Sequence, residues 1–148
     1  MTDIATIEAR IAIGEVKARY CRCLDTKDWA GYADCFTDDF ELDTRPSGGA
    51  ITHSRDEALR MVRGAVETAM TCHQVHSPEM AIDGDVATVV WAMQDRVAWG
   101  EDRRQRMGNA GFTGFGHYHE RYERRNGQWR IAKQILTRLH MDVIPLTN

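Results

Sequence analysis

The first half of the chain repeats apolar residues at helical spacing, whereas the second half alternates apolar and polar residues. Over residues 4–24 the apolar positions recur every three or four residues, which predicts a long amphipathic helix. Thr26 and Asp28 suit the start of a second helix, whose apolar stripe continues to Phe36. The polar run at residues 37–39 should end that helix, and a short strand is expected over residues 40–43.

Ser54 and Glu57 form the capping box of a third helix, whose apolar positions continue to about residue 68. Before it, the segment 45–50 contains Pro and Gly and is expected to be a connection, with a mobile lid as the alternative. The charged segment 101–108 predicts a solvated loop. Its Arg103 and Arg104 either face solvent or contact an anionic tail of a ligand.

The last third of the chain is organised by a hairpin centred on Asn126-Gly127, a pair that favours the mirror-image two-residue turn. Three cross-strand pairs should then share one face and form a pocket wall: Phe115 with Arg138, His117 with Leu136, and His119 with Gln134. The opposite face should pack or form a subunit interface through Tyr118, Tyr122, Trp129, Ile131 and Ile135. A one-residue bulge would exchange the two roles.

A second hairpin is predicted at Asp83-Gly84, and the strand after it places an acid within an apolar row. The members of that row, expected to face a hollow between sheet and helices, are Val89, Trp91, Met93, Asp95, Val97 and Trp99. A carboxylate in such surroundings is either held in a structural ion pair or belongs to a functional site. We expect Trp91 and Met93 to contact a ligand.

The same hairpin decides which histidine approaches this acid. Pairing through the turn sets His76 opposite Trp91 and on the same face as Asp95, with His73 on the other face. At the ideal strand rise, about 13 Å separates His76 from Asp95, so contact requires a change of register. Pro78 cannot donate to the ladder, and a bulge or a sheet edge near it would supply that change.

The order of elements predicts the fold class. Three helices followed by long strands define an α+β fold, with the helices on one face of a curled mixed or antiparallel sheet around an apolar cavity. The length of 148 residues suits one domain, residues 1–148, and the apolar share of 43% is enough for a core.

Charge and cysteine usage exclude several functions. The net charge of −3, with both signs mixed along the chain, gives no basic stripe for nucleic acid. Apolar stretches are too short to span a membrane and the N-terminus lacks the core of a signal peptide, so a cytoplasmic protein is expected. The cysteines form no Cys-x-x-Cys pair, so reduced thiols and no metal site are expected: Cys21, Cys23, Cys35 and Cys72.

The end of the first predicted helix combines a phenol with a carboxylate. On a continuous helix Tyr20 and Asp25 point about 140° apart, so they converge only if the helix ends near Leu24. Asp25 is as well suited to capping the next helix as to chemistry.

Four separated motifs, in order, give the chain a resemblance to the SnoaL-like group of the nuclear transport factor two-like superfamily. That group contains the bile-acid 7α-dehydratases, whose Tyr-x-Arg-Cys-Leu-Asp motif is matched by residues 20–25 and whose His-x-Pro-Glu motif is matched by residues 76–79. Their strand acid and last-strand arginine are matched by Asp95 and Arg138. The resemblance to the scytalone dehydratases is more distant.

The resemblance implies a cone-shaped fold around an apolar cavity, assembly as a homodimer or homotrimer, and cofactor-free elimination of water. The implied substrate is a hydrophobic steroid-like or polyketide-like hydroxy ketone. His76 would be the general base, Asp25 or Asp95 would orient its imidazole, and Tyr20 would donate to the enolate or the leaving hydroxyl. Arg138 would anchor a substrate carboxylate or hold Asp95.

Two departures and two rival functions qualify this expectation. The segment 116–119, with its two histidines, and the loop 45–50 differ from the bile-acid enzymes, so a bile acid is not the expected substrate. A ketosteroid isomerase-type proton shuttle is one rival, and it needs a carboxylate base. The second is a non-catalytic ligand-binding module, because one fold serves many functions.

Overall fold

The computed structural model describes residues 3–146, in which helices on the N-terminal side pack against a six-stranded sheet. The elements, in chain order, are α1 (Ile4–Thr26), α2 (Trp29–Ala33), β1 (Phe36–Asp43), a 3-10 turn (Arg45–Ser47), β2 (Ile51–Thr52), α3 (Arg55–Val66), β3 (Met70–Asp83), β4 (Val86–Ala98), α4 (Glu101–Met107), β5 (Gly111–Arg125) and β6 (Gln128–Ile144). No helix within residues 3–146 combines the length and apolar character needed to span a membrane.

The strand order is β2-β1-β6-β5-β4-β3, which confirms the predicted α+β class with a curled mixed sheet. β1 runs parallel to β6, and the other neighbouring pairs are antiparallel. Apolar side chains from the inner face of the sheet pack against α1, and the core includes Ile13, Val16, Phe36, Phe40, Val89, Trp91 and Ile131. The hollow of the curl lies between this core and α3.

The helix boundaries follow from local capping. Asp3 accepts a hydrogen bond from the Thr6 amide at 2.7 Å and so caps α1, which ends at the left-handed Lys27. Asp28 caps α2 as predicted, accepting from the Gly31 amide at 2.9 Å. The Ser54 cap of α3 is also confirmed, since its hydroxyl accepts from the Glu57 amide.

Two segments differ from expectation. The polar run 37–39 lies within β1, at a register irregularity between the pairings of Phe36 and of Glu41 with β6, and these pairings on either side hold it in the strand. The segment 101–108, predicted to be a loop, is mostly helix α4. Two of its arginines contact neighbouring backbone: Arg104 Nε donates to the Trp99 carbonyl at 2.9 Å and Arg103 Nη1 to the Gly64 carbonyl at 3.4 Å.

The hairpin between β5 and β6 has the predicted turn but not the predicted register. Asn126 and Gly127 have φ values of 52° and 77°, and Arg125 pairs with Gln128. A bulge on β6 then adds one residue, so that its later positions pair one residue further along: Glu120 with Gln134, Tyr118 with Leu136 and Gly116 with Arg138. Beyond the bulge, each β6 side chain therefore shares a face with different β5 side chains from those that the predicted register gives it.

This bulge overturns half of the predicted pocket wall. Gln134, Leu136 and Arg138 face the cavity, but Phe115, His117 and His119 lie on the outer face of the sheet. Of the residues predicted to pack or form a subunit interface, Tyr118, Tyr122, Trp129 and Ile131 pack inside the protein, whereas Ile135 lies on the outer face. Tyr122, Trp129 and Ile131 are 0%, 6% and 0% exposed.

The hairpin between β3 and β4 turns at Gly84 and Asp85, one residue later than predicted, since Asp83 pairs with Val86. That displacement by itself does not change which side chains of β3 and β4 share a face. An irregularity between His76 and Glu79, where Ser77 has φ 41°, adds a residue to β3 and reverses the faces before it. The disruption predicted near Pro78 is therefore present. It places His73 on the inner face of the sheet and His76 on the outer face.

Candidate functional site

A cavity of about 450 Å³ opens between the inner face of the sheet and the helices. Its polar lining is formed by Tyr20, Tyr32, Thr44, His73, Asp95, Tyr118, Gln134 and Arg138. Its apolar lining is formed by Leu24, Leu42, Met61, Val62, Ala65, Val66, Val97, Trp99, Phe112 and Leu136. A depression of about 520 Å³ on the outer face contains none of these groups, so the inner cavity is the candidate site.

His73 enters the cavity from β3 and is held from behind by Asp25. His73 Nδ1 lies 2.6 Å from Asp25 Oδ1, and the His73 backbone amide donates to Asp25 Oδ2 at 2.8 Å. The Thr71 hydroxyl also donates to Asp25 Oδ1, at 2.9 Å. A carboxylate at Nδ1 favours the tautomer protonated there, which leaves Nε2 with its lone pair toward the cavity.

Asp25 itself is outside the cavity lining, at the C-terminal end of α1. Burial raises the pKa of this carboxyl, but hydrogen bonds from His73 and Thr71 and the attraction of the imidazole more than offset it. The net pKa is below the usual 3.8, so Asp25 is a carboxylate at neutral pH. Sequence reasoning required the helix to end at Leu24 for Asp25 to reach Tyr20, but Asp25 instead points to β3.

This depressed pKa gives a prediction for stability. Because the folded-state pKa lies below the unfolded value, the stabilisation is present above that value and is lost as the pH falls through the folded pKa. The melting temperature of Asp25→Asn should therefore lie below that of the wild type at pH 7, and the difference should shrink below about pH 4. Differential scanning calorimetry across this range tests it; a pH-independent difference would contradict it.

Asp95 and Arg138 form the second polar group of the cavity. Arg138 donates to both carboxylate oxygens, at 2.5 and 2.7 Å, and the two side chains are 15% and 3% exposed. Burial lowers the pKa of Arg138, but the hydrogen bonds and charge of Asp95 raise it by more than burial lowers it, so the net pKa is above the usual value. His73 Nε2 lies 4.0 Å from Asp95 Oδ2, so the imidazole stands between two carboxylates but is hydrogen-bonded to Asp25.

Gly114 makes the ion pair possible. It lies opposite Asp95 on β5, and a Cβ there would stand 2.5 Å from Arg138 Nη1 and 3.0 Å from Asp95 Oδ1. The guanidinium of Arg138 crosses β5 through this opening to reach β4. Because the crowded atom is the end of a flexible side chain, an alanine here would displace Arg138 rather than unfold the sheet.

We therefore expect Gly114→Ala to fold but to lose about 10- to 100-fold in kcat for the reaction proposed below, since the pair it disturbs lines the cavity. Circular dichroism and steady-state kinetics measure the two effects. Gly14→Ala is the matched control, because a Cβ at that helical position meets nothing within 4 Å. Equal activity of both variants would show that Arg138 need not contact Asp95.

Tyr20 brings a phenol into the cavity from α1. Gln134 Nε2 donates to its hydroxyl oxygen at 3.2 Å, whereas the contact of the hydroxyl with Gln134 Oε1 is 3.5 Å, too long for a strong bond. Burial, with the neighbouring Tyr118, raises the pKa of Tyr20 well above its usual range. The phenol therefore keeps its proton and can donate it to a ligand oxygen.

The structure brings together Tyr20, Asp95 and Arg138 at the cavity, with Asp25 behind His73. The placement of His76 on the cavity face is wrong, because the bulge next to Pro78 turns it to the outer face, where it is exposed. Trp91 also lies outside the cavity lining, in the core, where its Nε1 donates to the Tyr122 hydroxyl. Met93 lies beneath the site, with its sulfur 4.0 Å from Arg138 Nη1.

Sequence reasoning missed His73, Tyr118 and the loop before β2. His73 was on the wrong face of the predicted ladder, although Ser77-Pro78 signalled the irregularity that corrects it. Tyr118 was assigned to the opposite face because the β6 bulge has no comparable signal. The segment 45–50 is more than a connection: Gly49 and Ala50 line the cavity, and the Ser47 hydroxyl donates to the Leu136 carbonyl at 2.8 Å.

Side chains that could bind a metal ion are not clustered among the residues that the structure describes. Within residues 3–146, no three His, Cys, Asp or Glu side chains are arranged to hold a metal ion. The polar groups of the cavity instead include His73, which Asp25 binds from behind, the Asp95–Arg138 pair and the phenol of Tyr20, an arrangement suited to moving protons and stabilising negative charge on an oxygen.

Known proteins share both this sequence pattern and this shape. A family model described as a SnoaL-like domain matches residues 5–134. The probable cyclase FGR4 of Gibberella zeae is 25% identical over 156 residues, covering 93% of this chain and 95% of the relative.

Two solved structures have the same fold. The hexachlorocyclohexane dehydrochlorinase LinA-type3 of Novosphingobium barchaimii superposes with a TM-score of 0.81 at 17% identity, over 99% of each chain. A scytalone dehydratase-like protein of Novosphingobium aromaticivorans superposes with a TM-score of 0.81 at 20% identity, over 100% of this chain and 99% of that protein. At these identities the likeness concerns the fold.

Proposed function

The chain belongs to the SnoaL-like family of the nuclear transport factor two-like superfamily, and from this membership and its Asp25–His73 pair we propose that it is a cofactor-independent dehydratase. The observation that carries the proposal is a histidine whose Nδ1 is bound by a carboxylate at 2.6 Å while its ring lines a mostly apolar cavity. This arrangement is typical of a general base.

The reaction begins at the free nitrogen of His73. Nε2 removes a proton from the carbon next to a substrate carbonyl, and the electrons of that C–H bond form an enolate. Asp25 stabilises the resulting imidazolium, because its carboxylate already accepts the Nδ1 proton. The enolate then re-forms the carbonyl, a C=C bond forms, and the C–O bond at the next carbon breaks. The departing hydroxide takes the proton back from His73 and leaves as water.

The enolate oxygen needs donors that do not have to reorganise. Tyr20 supplies a phenol O–H that is 3.5 Å from its acceptor Gln134 Oε1, and Arg138 supplies a buried positive charge. Donors and charges fixed in a dry cavity stabilise a developing oxyanion more than water does. The Asp95 carboxylate holds Arg138, so its part in the reaction is to fix that charge in place.

The lining supports a hydrophobic polycyclic substrate. The polar groups gather on the sheet side and at the end of α1, whereas α3 contributes Met61, Val62, Ala65 and Val66. A flat apolar body would contact this wall while one carbonyl and one hydroxyl face the polar side. A steroid-like or polyketide-like hydroxy ketone meets this requirement.

The names of the related proteins support elimination chemistry. A scytalone dehydratase removes water and a dehydrochlorinase removes hydrogen chloride, and both reactions can start from loss of a proton next to the leaving group. The relative named as a probable cyclase favours a second candidate, in which the same enolate attacks an internal carbonyl and closes a ring. Both candidates use the same base.

An isomerase reaction and a purely binding role have less support. A ketosteroid isomerase-type reaction needs a free carboxylate base, but Asp25 is bound to His73 and Asp95 to Arg138. A non-catalytic binding module would be favoured by a collapsed or wholly apolar pocket, whereas this cavity contains a hydrogen-bonded histidine and a buried ion pair.

The reaction can be tested with a panel of polycyclic β-hydroxy ketones from the steroid and aromatic polyketide classes, incubated with the protein in deuterated water. The proposal expects a product lighter by one water, detected by mass spectrometry and by the absorbance of the conjugated ketone. A dehydrated product absent from every reaction would overturn it. Deuterium uptake without water loss would indicate isomerisation, and an undehydrated cyclised product would indicate the second candidate.

A further inference from the structure

A lysine and a glutamate are fully buried beneath the cavity. Lys17 Nζ lies 2.6 Å from Glu120 Oε1, and both side chains are 0% exposed. Neither residue lines the cavity, so neither touches the substrate in the reaction proposed above. A buried ion pair of this kind is weak evidence for stability, because removing two charges from water costs much of their attraction.

The ammonium group of this pair lies between two cavity tyrosines. Lys17 Nζ is 3.8 Å from the centroid of the Tyr20 ring and 3.9 Å from that of Tyr118. The two rings contact each other edge to face, with centroids 5.9 Å apart. A desolvated ammonium held against both ring faces attracts each of them and resists their displacement.

The carboxylate of the pair is fixed in turn by the Tyr122 hydroxyl, which is itself held by Trp91. The Tyr122 hydroxyl donates to Glu120 Oε2 at 2.6 Å, and Trp91 Nε1 donates to the Tyr122 hydroxyl at 3.3 Å. Glu120 therefore uses one oxygen for Lys17 and the second for the core of the sheet. This chain of contacts ties the ammonium to β4 and β5 rather than to α1 alone.

We propose that Lys17 and Glu120 are positioning residues that hold the Tyr20 and Tyr118 rings at the floor of the cavity. The catalytic part of this proposal rests on the proposed function, since Tyr20 is its hydrogen-bond donor. The positioning part does not, because it concerns the rings themselves. Tyr20 stands on α1 and Tyr118 on β5, and the ammonium between them fixes the two elements relative to each other.

The test is a double variant, Lys17→Met with Glu120→Gln, which removes both charges and leaves no buried ion unpaired; glutamine keeps the length of the glutamate, and methionine is an unbranched chain one heavy atom shorter than lysine. Its matched control is Lys133→Met with Glu41→Gln. That pair has the same 2.6 Å separation but is 45% and 29% exposed and lies outside the cavity lining. The rings are observed by NMR of the four tyrosines labelled with ¹³C.

In the Lys17/Glu120 variant we expect the signals of Tyr20 and Tyr118 to shift and their rings to flip faster. We also expect kcat to fall by about 10- to 100-fold with a smaller change in KM, since a misplaced donor weakens the transition state more than binding. The control variant should match the wild type. Unchanged Tyr20 and Tyr118 signals in the variant would overturn the proposal, whether or not the protein catalyses elimination.

A variant that fails to fold still leaves a decisive measurement in the wild-type protein. Tyr32 is as deeply buried as Tyr20 and Tyr118, at 2% against 4% and 4% exposed, but no ammonium of residues 3–146 lies on the face of its ring. The proposal expects the Tyr20 and Tyr118 rings to flip more slowly than that of Tyr32. Flip rates equal to or faster than that of Tyr32 would overturn it.

Discussion

Replacing His73 with glutamine should lower kcat for dehydration by at least about a hundredfold, the usual contribution of a general acid–base group. Glutamine can still donate a hydrogen bond to the Asp25 carboxylate, but it has no basic nitrogen to take a proton from carbon. The side chain of His73 is 8% exposed, and glutamine is close to it in volume, so the fold should persist. Steady-state kinetics and circular dichroism measure the two effects.

The chain provides a matched control for this substitution on the same strand. His76 is three residues further along β3, but it lies on the outer face and is exposed. His76→Gln should therefore leave kcat and KM close to those of the wild type. A large loss in His76→Gln with full activity in His73→Gln would contradict the assignment of His73 as the base and favour the histidine of the His-x-Pro-Glu motif.

The Asp25→Asn variant should lose on the order of a hundred- to ten-thousandfold in kcat with little change in KM. The reason lies in the donors that surround Asp25. The backbone amide of His73 requires an acceptor at the position of Oδ2, so the amide oxygen of an asparagine would settle there. Its NH2 group would then point at Nδ1, and the imidazole would carry its proton on Nε2 and present no base to the substrate.

The tautomer of His73 distinguishes this predicted loss of activity from one that is caused by unfolding. Nitrogen-15 chemical shifts of a histidine-labelled protein report which ring nitrogen is protonated, and they should show the Nδ1–H form in the wild type and the Nε2–H form in Asp25→Asn. Asp28→Asn is the control, because Asp28 caps α2 and asparagine is an equally good cap. Asp25→Asn with wild-type kcat would show that His73 needs no orienting carboxylate.

For Asp95, sequence alone left open an ion pair, for which Arg138 was a candidate, and a part in orienting the histidine. Its bidentate contacts with Arg138 at 2.5 and 2.7 Å, compared with 4.0 Å to His73, assign Asp25 as the hydrogen-bonded partner of the histidine. The structural ion pair and the functional site, which sequence alone offered as alternatives for this acid, are the same feature of the structure. The ion pair is in the cavity, and it fixes a positive charge where an oxyanion can form.

The sequence specified most of the elements and most of the residues that bear chemistry, because these depend on short-range physics. Helical spacing and caps place α1 and α3, and Asn126-Gly127 fixes the turn between β5 and β6. The acid at position 95 stands out in any strand, since a carboxylate among apolar residues needs a partner. These inferences require only neighbours along the chain.

The faces of the strands, by contrast, were decided only by the tertiary structure. Side chains alternate with a period of two, so one extra residue in a ladder reverses every side chain beyond it. The bulge at Ser77-Pro78 brings His73 instead of His76 to the cavity, and the bulge on β6 turns His117 and His119 outward while bringing Tyr118 in. Whether a bulge forms depends on the packing of the whole sheet. The sequence alone therefore determined that a histidine, a carboxylate pair, a phenol and an arginine were available, and the folded sheet decided which histidine joins them.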